Sequence, residues 1–80
     1  MTGSFEKALD TAMQTGYVAA YRWLGNRDEA RDACQEAAVR ALAARHRYDP
    51  TRGFYPWFYR ILKNHCMDRL RFASGVRTTR

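Results

Sequence analysis

The chain has 80 residues, of which 46% are hydrophobic, 28% charged and 14% aromatic. This length suits one small domain and leaves no room for a doubly wound sheet, a barrel or a cleft between two lobes. No apolar stretch approaches the roughly 20 residues of a membrane span, and the first residues lack a signal peptide's apolar segment. Two cysteines do not make a disulfide framework, so we expect a reduced, cytoplasmic protein.

Positive charge is concentrated in the second half of the chain, and the formal net charge is +6 overall. Residues 1–40 hold five Lys or Arg and six Asp or Glu, whereas residues 41–80 hold nine and two. Such a basic pole indicates a polyanionic partner, either nucleic acid or an anionic membrane surface. The alternative is that the basic surface only keeps the protein soluble.

Helical periodicity occurs three times along the chain, and patterns typical of strands are nearly absent. We therefore predict an all-α fold: a compact domain over residues 1–72 with three helices, or four if a short extra turn forms. The last residues, 73–80, lack an apolar stripe and are expected to form a flexible tail.

The first two helices have clear end signals. The first is predicted over residues 4–24, with Gly25 in the left-handed conformation just beyond it. Asn26 is expected to cap the second helix, with Glu29 three residues later as part of an approximate capping box. The second helix should reach about Arg47.

The third helix is predicted to begin near Pro56 and to reach about Phe72, after a turn over residues 48–53. Its expected buried stripe consists of Phe54, Trp57, Phe58, Ile61, Leu62 and His65. The second helix has an expected buried stripe of small residues, which allows close approach of its neighbours: Ala30, Ala33, Cys34, Ala37, Ala41 and Ala44.

The opposite face of the second helix presents Asp32, Gln35, Glu36 and Val39 at the spacing i, i+3, i+4 and i+7. An aliphatic side chain among acidic and amide groups suits a docking patch for another protein. The alternative is an ordinary solvated face, because single exposed aliphatic residues are common.

The outward face of the third helix has the composition of a nucleic-acid contact surface. Cations on it could contact phosphates, and an amide could read a base edge. Aromatic residues interleaved with Arg precede and overlap this helix, as in proteins that bind single strands. Packing in the core is the alternative for Trp57 and Phe58. The outward face consists of Arg60, Lys63, Asn64, Met67 and Arg71.

Three stretches resemble bacterial sigma factors of the extracytoplasmic-function group. Residues 28–36, DEARDACQE, resemble the D-A-x-D-x-x-Q-E stretch of their second conserved region. Residues 54–64, FYPWFYRILKN, resemble F-x-P-W-L-Y-R-I-A-R-N, and residues 67–71, MDRLR, resemble I-D-x-L-R. The resemblance extends over roughly residues 5–71 without a large gap.

This resemblance implies a helical sigma region 2 domain with two partners and no membrane contact. Asp32, Gln35 and Glu36, with the adjacent Val39, would bind the clamp helices of the largest subunit of core RNA polymerase. The loop and third helix would recognise the promoter's minus-ten element and hold its melted non-template strand, with residues 48–55 lining a pocket for a flipped base. The implied DNA-binding residues are Asp49, Arg52, Phe54, Tyr55, Arg60, Lys63, Asn64, Met67 and Arg71.

The sequence departs from the family's pattern in two respects. Ala38 and Leu42 stand where the family usually has larger side chains, so the docking helix is smaller-sided than usual. A complete factor also has a region 4 domain, which we do not expect within these 80 residues, and residues 73–80 would begin the linker to it. The sequence would then be either an excised domain or a naturally truncated protein. An anti-sigma factor is a further partner that the family implies.

Other functional classes are weakly supported. No acid–base, nucleophile or phosphate-loop motif occurs, so we predict neither an enzyme nor a cofactor. Cys34, His46, His65 and Cys66 lack paired ligand spacing, so no metal site is expected. A small helical adaptor without specific DNA binding is the main alternative. A helix-turn-helix repressor is less suitable, because residues 48–53 exceed that motif's usual turn.

Overall fold

Three α-helices form the fold in the computed structural model, which describes residues 4–73: Ser4–Leu24 (α1), Arg27–Ala43 (α2) and Phe54–Ala73 (α3). Between α2 and α3, two single-turn 3-10 helices lie at Arg45–Arg47 and Pro50–Arg52. Each α-helix packs against the other two, and no strand occurs in the described part of the chain. The all-α prediction with three helices is confirmed, and two short 3-10 turns occur where the alternative allowed one extra turn.

The junction between α1 and α2 has the predicted end signals. Gly25 has φ of 69°, and its N–H donates to the carbonyl of Tyr21 at 2.7 Å. Asn26 is the N-cap of α2, where its side-chain oxygen accepts a bond from the Glu29 N–H at 2.9 Å. These bonds satisfy backbone groups that a helix end leaves unpaired, and they turn the chain sharply enough for α2 to pack beside α1.

The α2 helix ends at Ala43, four residues before the predicted end near Arg47. Ala44, with φ of −102° and ψ of 15°, leaves the helical conformation, and the Arg47 N–H then donates to its carbonyl at 2.8 Å. This tighter turn redirects the chain so that Tyr48 packs against the start of α1. Because the apolar periodicity continues through Ala44, the sequence pattern could not reveal the change.

The α3 helix begins at Phe54, two residues before the predicted start at Pro56. Proline is tolerated there because the first N–H groups of a helix have no partner within it. The helix extends to Ala73, and residues 74–80 of the predicted tail lie outside the described residues.

The core combines small side chains from α2 with large ones from α3. Phe58, Leu62 and Cys66 are its largest fully buried residues. A Cβ added at Gly16 of α1 would lie 2.9 Å from Leu62 and 3.1 Å from Phe58, so α1 and α3 meet closely at this glycine. The buried residues of α2 are Ala30, Ala33, Cys34, Ala37, Ala38 and Ala41.

The buried stripe of α3 is less deeply buried than predicted. Phe58 and Leu62 are fully buried, and so is Cys66, which was not assigned to the stripe. The other predicted members are half-buried: Phe54, Trp57, Ile61 and His65. Both cysteines are free and buried. Burial, together with the neighbouring Cys66, raises the pKa of Cys34 to about 11, so both thiols remain protonated near neutral pH.

Neither a metal site nor a membrane span is found among the described residues. Their His, Cys, Asp and Glu side chains form no group of three that could hold a metal ion. None of the three helices has both the length and the apolar character needed to cross a bilayer.

Candidate nucleic-acid interface and acidic patch

Four aromatic rings hold the connection between α2 and α3 against the start of α1. They belong to Phe5, Tyr48, Phe54 and Trp57, and we call them the four-ring cluster. Every pair among them has ring centroids 5.2–6.1 Å apart, mostly in edge-to-face arrangements. Tyr48 and Phe54 lie at the two ends of the loop, so the cluster fixes both of its ends.

The loop between these rings is organised by Asp49. Its carboxylate accepts hydrogen bonds from the N–H and hydroxyl of Thr51 at 3.0 and 2.8 Å, and it lies 3.9 Å from the Arg52 guanidinium. The bonds from Thr51 lower the pKa of Asp49, which stays ionised down to more acidic pH than an isolated carboxyl. Gly53, with φ of 88°, then turns the chain into α3. Asp49 therefore shapes the loop.

A cavity of about 440 Å³ lies between this loop and the first turns of α3, and we call it the loop cavity. Three guanidinium groups and one carboxylate surround it, so its charge is positive. The Trp57 indole forms part of its wall, and its volume lies within the roughly 300–1,000 Å³ of ligand pockets. The lining residues are Arg47, Asp49, Arg52, Gly53, Pro56, Trp57 and Arg60.

The predicted DNA-binding residues do not all meet at the loop cavity. Asp49, Arg52 and Arg60 line it, whereas Phe54 lies in the four-ring cluster. Tyr55 points to the other side of α3, where it lines a groove against α1. The structure thus divides the expected base-binding segment between two surfaces.

The outward face of α3 is basic, with one exception to the prediction. Arg60, Lys63 and Asn64 are exposed. Arg71 is also exposed, and it donates a hydrogen bond to Asp68 at 3.1 Å. Met67, predicted to face outward with them, is half-buried and packs against the core. Its flexible apolar side chain folds back onto the neighbouring helices, which removes apolar area from water.

The acidic patch of α2 has the predicted exposure. Asp32, Gln35, Glu36 and Val39 all lie on the surface, and Val39 is 60% exposed. Such exposure is high for a valine, and it places an apolar contact beside two carboxylates.

Two arginines that the sequence analysis did not assign lie at this patch. Arg69 of α3 lies 3.6 Å from the Asp32 carboxylate, and Arg40 lies 3.4 Å from that of Glu36. His65 is nearby, and its partial burial, followed by the charges of Arg40 and Arg69, lowers its pKa. The imidazole of His65 is therefore neutral near pH 7 and adds no positive charge to the acidic patch.

Sequence reasoning also missed three residues of the loop cavity, namely Arg47, Pro56 and Trp57. Arg47 is adjacent to the predicted turn, within a run of basic residues, and that charge was the available signal. Trp57 was assigned to the core, and it does contact the four-ring cluster, but its other side lines the cavity. An indole that serves both purposes cannot be recognised from helical periodicity.

Comparison with known proteins identifies the family. The family model of sigma-70 region 2 matches residues 14–75, which is more than half of the chain. The chain belongs to the sigma-70 region 2 family. It is 40% identical over 68 residues to the ECF RNA polymerase sigma factor SigW of Bacillus subtilis (strain 168). No solved structure gives a significant match.

The alignment with SigW covers 85% of this chain but 36% of that relative, so the chain spans about a third of its length. This similarity confirms the predicted assignment to the extracytoplasmic-function group. The matched segment of the sigma-70 region 2 domain includes the acidic patch, the loop cavity and the basic face of α3.

Proposed function

We propose that this domain docks on core RNA polymerase and binds the melted minus-ten strand of a promoter. The observation that carries the proposal is the separation of two unlike surfaces on one small fold. The acidic patch lies on α2, whereas the loop cavity and the basic face belong to the loop and α3. One surface can therefore bind polymerase while the other binds DNA.

The acidic patch supports contact with the clamp helices of the polymerase's largest subunit. Asp32 and Glu36 can exchange their ion pairs with Arg69 and Arg40 for basic side chains of the polymerase. Gln35 offers an amide, and Val39 supplies an apolar contact. Opposite charges steer two proteins into register, and an apolar residue beside them removes area from water on binding. Docking of this kind would hold the DNA-binding surface at the polymerase.

The loop cavity supports capture of an unpaired base. The indole of Trp57 offers a stacking surface, and Arg47, Arg52 and Arg60 surround the cavity with positive charge for the flanking phosphates. Lys63 and Asn64 extend the basic face along α3. Contacts with the separated strand offset the cost of unstacking, which is a few kcal/mol per base.

The whole protein's place in the cell follows from this proposal. Core polymerase and promoter DNA are cytoplasmic in bacteria, so the domain would act there. Recognition of the promoter's upstream element would require the region 4 domain of a complete factor, and an anti-sigma factor would regulate it by covering one of the two surfaces.

Reversing both charges of the acidic patch should weaken docking. We expect Asp32→Lys combined with Glu36→Lys to reduce retention of core polymerase on the immobilised domain, because two attractive contacts become repulsive. Both side chains are exposed, so the folded state should lose little stability beyond the weak surface ion pairs. Retention and circular dichroism of the double variant are the measurements.

The matched control is Glu6→Lys combined with Asp10→Lys on α1. These residues are exposed, have the same spacing and undergo the same charge change, but lie outside the acidic patch. Equal retention of polymerase by the two double variants would contradict the docking assignment.

Removing cations from the DNA-binding surface should have a different effect from altering the loop. Arg60→Ala and Lys63→Ala should each weaken binding to all minus-ten strands alike and reduce the slope against salt by about one. Replacing residues 49–53 by a different loop sequence, while keeping Arg52, should change which minus-ten base is preferred. The slope of log affinity against log salt concentration should stay nearly the same. Anisotropy of labelled strands, with core polymerase present, measures both.

Arg31→Ala is the control for these variants, because Arg31 is exposed on α2 far from the loop. If the loop exchange lowers affinity for all strands equally, the loop is only a connector, and Asn64 becomes the first candidate for base reading. If neither the parent domain nor any of its variants shows salt-dependent strand binding, the adaptor function would be favoured instead.

A further inference from the structure

A second concave surface lies between α1 and α3, on the side of α3 away from the loop cavity. This groove has a volume of about 550 Å³. Its walls include Trp23, Tyr55 and Tyr59, and exposed residues of α1, among them Gln14, Thr15 and Arg22, form its edge. Of its lining residues, the sigma resemblance assigned only Tyr55 to DNA, and it placed that residue in the base pocket of residues 48–55.

The three aromatic rings of the groove form a continuous series. Tyr59 has its ring centroid 5.5 Å from that of Trp23 and 5.7 Å from that of Tyr55, and the ring planes are tilted by 54° and 48°. All three side chains are half-buried. They are held in place by packing on one side and open to the groove on the other.

The polar groups of the groove favour an anionic ligand that offers hydrogen-bonding edges. None of the described residues that line it is acidic, and Arg22 supplies a positive charge. Burial, and then the neighbouring Tyr59, raises the pKa of Tyr55, so its phenol stays neutral and does not repel phosphates. Gln14 and Thr15 add donors and acceptors at the edge.

The groove lies close to the proposed DNA-binding surface. Tyr55 and Tyr59 alternate with Pro56 and Arg60 of the loop cavity along the first two turns of α3. A helix with its side chains is about 10–12 Å wide, so a strand that leaves the loop cavity can reach the groove by crossing one helix.

We propose that this groove binds bases of single-stranded nucleic acid on Tyr55, Tyr59 and Trp23, with Arg22 contacting the backbone. The inference rests on the proposed function, because the strand would continue from the loop cavity. Base–aromatic stacking tolerates any base, so the groove would add affinity and hold the strand's direction without adding sequence preference.

The two tryptophans allow the two surfaces to be observed separately. In Trp57→Phe the remaining indole, Trp23, reports on the groove, whereas in Trp23→Phe the remaining Trp57 reports on the loop cavity. Unlabelled oligothymidylate long enough to cross α3 should quench the fluorescence of both proteins, because a stacked base lies against each indole. Binding of labelled strand is followed in parallel by anisotropy.

A pair of matched variants tests the backbone contact. Arg22→Ala should lower the slope of strand affinity against salt by about one. Arg31→Ala removes the same charge from an exposed position on α2 and should leave the slope unchanged.

The outcomes separate the groove from the proposed function. Quenching of Trp57 without quenching of Trp23, together with equal slopes for the two arginine variants, would overturn the groove and leave the loop cavity as the strand's binding site. A second outcome is that neither quenching nor an anisotropy change occurs at low salt, even with core polymerase added to the anisotropy assay. This outcome would overturn both the groove and the proposed DNA-binding function.

Discussion

Replacing Phe58 by alanine is expected to unfold much of the domain. Phe58 is fully buried, its ring lies 6.3 Å from that of Phe54, and it is close to Gly16 of α1. Loss of such a ring costs about 3–5 kcal/mol, because transfer free energy is lost and a cavity remains. The free energy of unfolding of a single domain is only about 5–15 kcal/mol, and a small domain lies near the lower end, so the variant would retain little stability.

Urea denaturation followed by circular dichroism measures this loss. Lys63→Ala, on the exposed face of the same helix, is the control and should change stability by no more than about 0.5 kcal/mol. A Phe58→Ala protein with the parent's urea midpoint would show that the ring is not the centre of the core.

Replacing Gly16 by valine is expected to be the most damaging change on α1. The first added carbon would already lie 2.9 Å from Leu62 and 3.1 Å from Phe58, both fully buried, and 3.8 Å from the Cys34 sulfur. Overpacking costs typically about 1–3 kcal/mol, and the two further methyl groups should bring the loss to the upper end.

Thr15→Val is the matched control, since it places the same side chain at the neighbouring, exposed position. Valine favours a helix more than glycine does and about as much as threonine, so a lower thermal midpoint for Gly16→Val alone would report contact with α3. Equal midpoints for the two would mean that α1 and α3 can separate at Gly16 without cost.

Much of the fold could be predicted from the sequence because its signals are local. The bounds of α1 match the prediction, and the left-handed Gly25 and the Asn26 cap are as expected. The end of α2 and the start of α3 were wrong by two to four residues, since both depend on Tyr48 and Phe54 entering the four-ring cluster. Contacts between residues distant in sequence decide those ends, and periodicity does not contain them.

The candidate site was predictable in composition more than in arrangement. Charge and spacing identified the acidic patch and most of the basic face, and all of their polar members are exposed. The sequence could not show that Tyr55 and Asp49 lie on different sides of α3, or that Arg69 reaches Asp32. Those facts depend on how the helices are rotated against one another.

The small buried residues of α2 have a consequence for the response of the domain to temperature. Alanines bury little apolar area, so unfolding exposes less of it per residue than in a core of large side chains. Exposed apolar area determines the heat capacity of unfolding, which averages about 12–15 cal/mol/K per residue. A lower heat capacity of unfolding flattens the curve of stability against temperature. The free energy of unfolding should therefore be modest but change little as the temperature rises or falls.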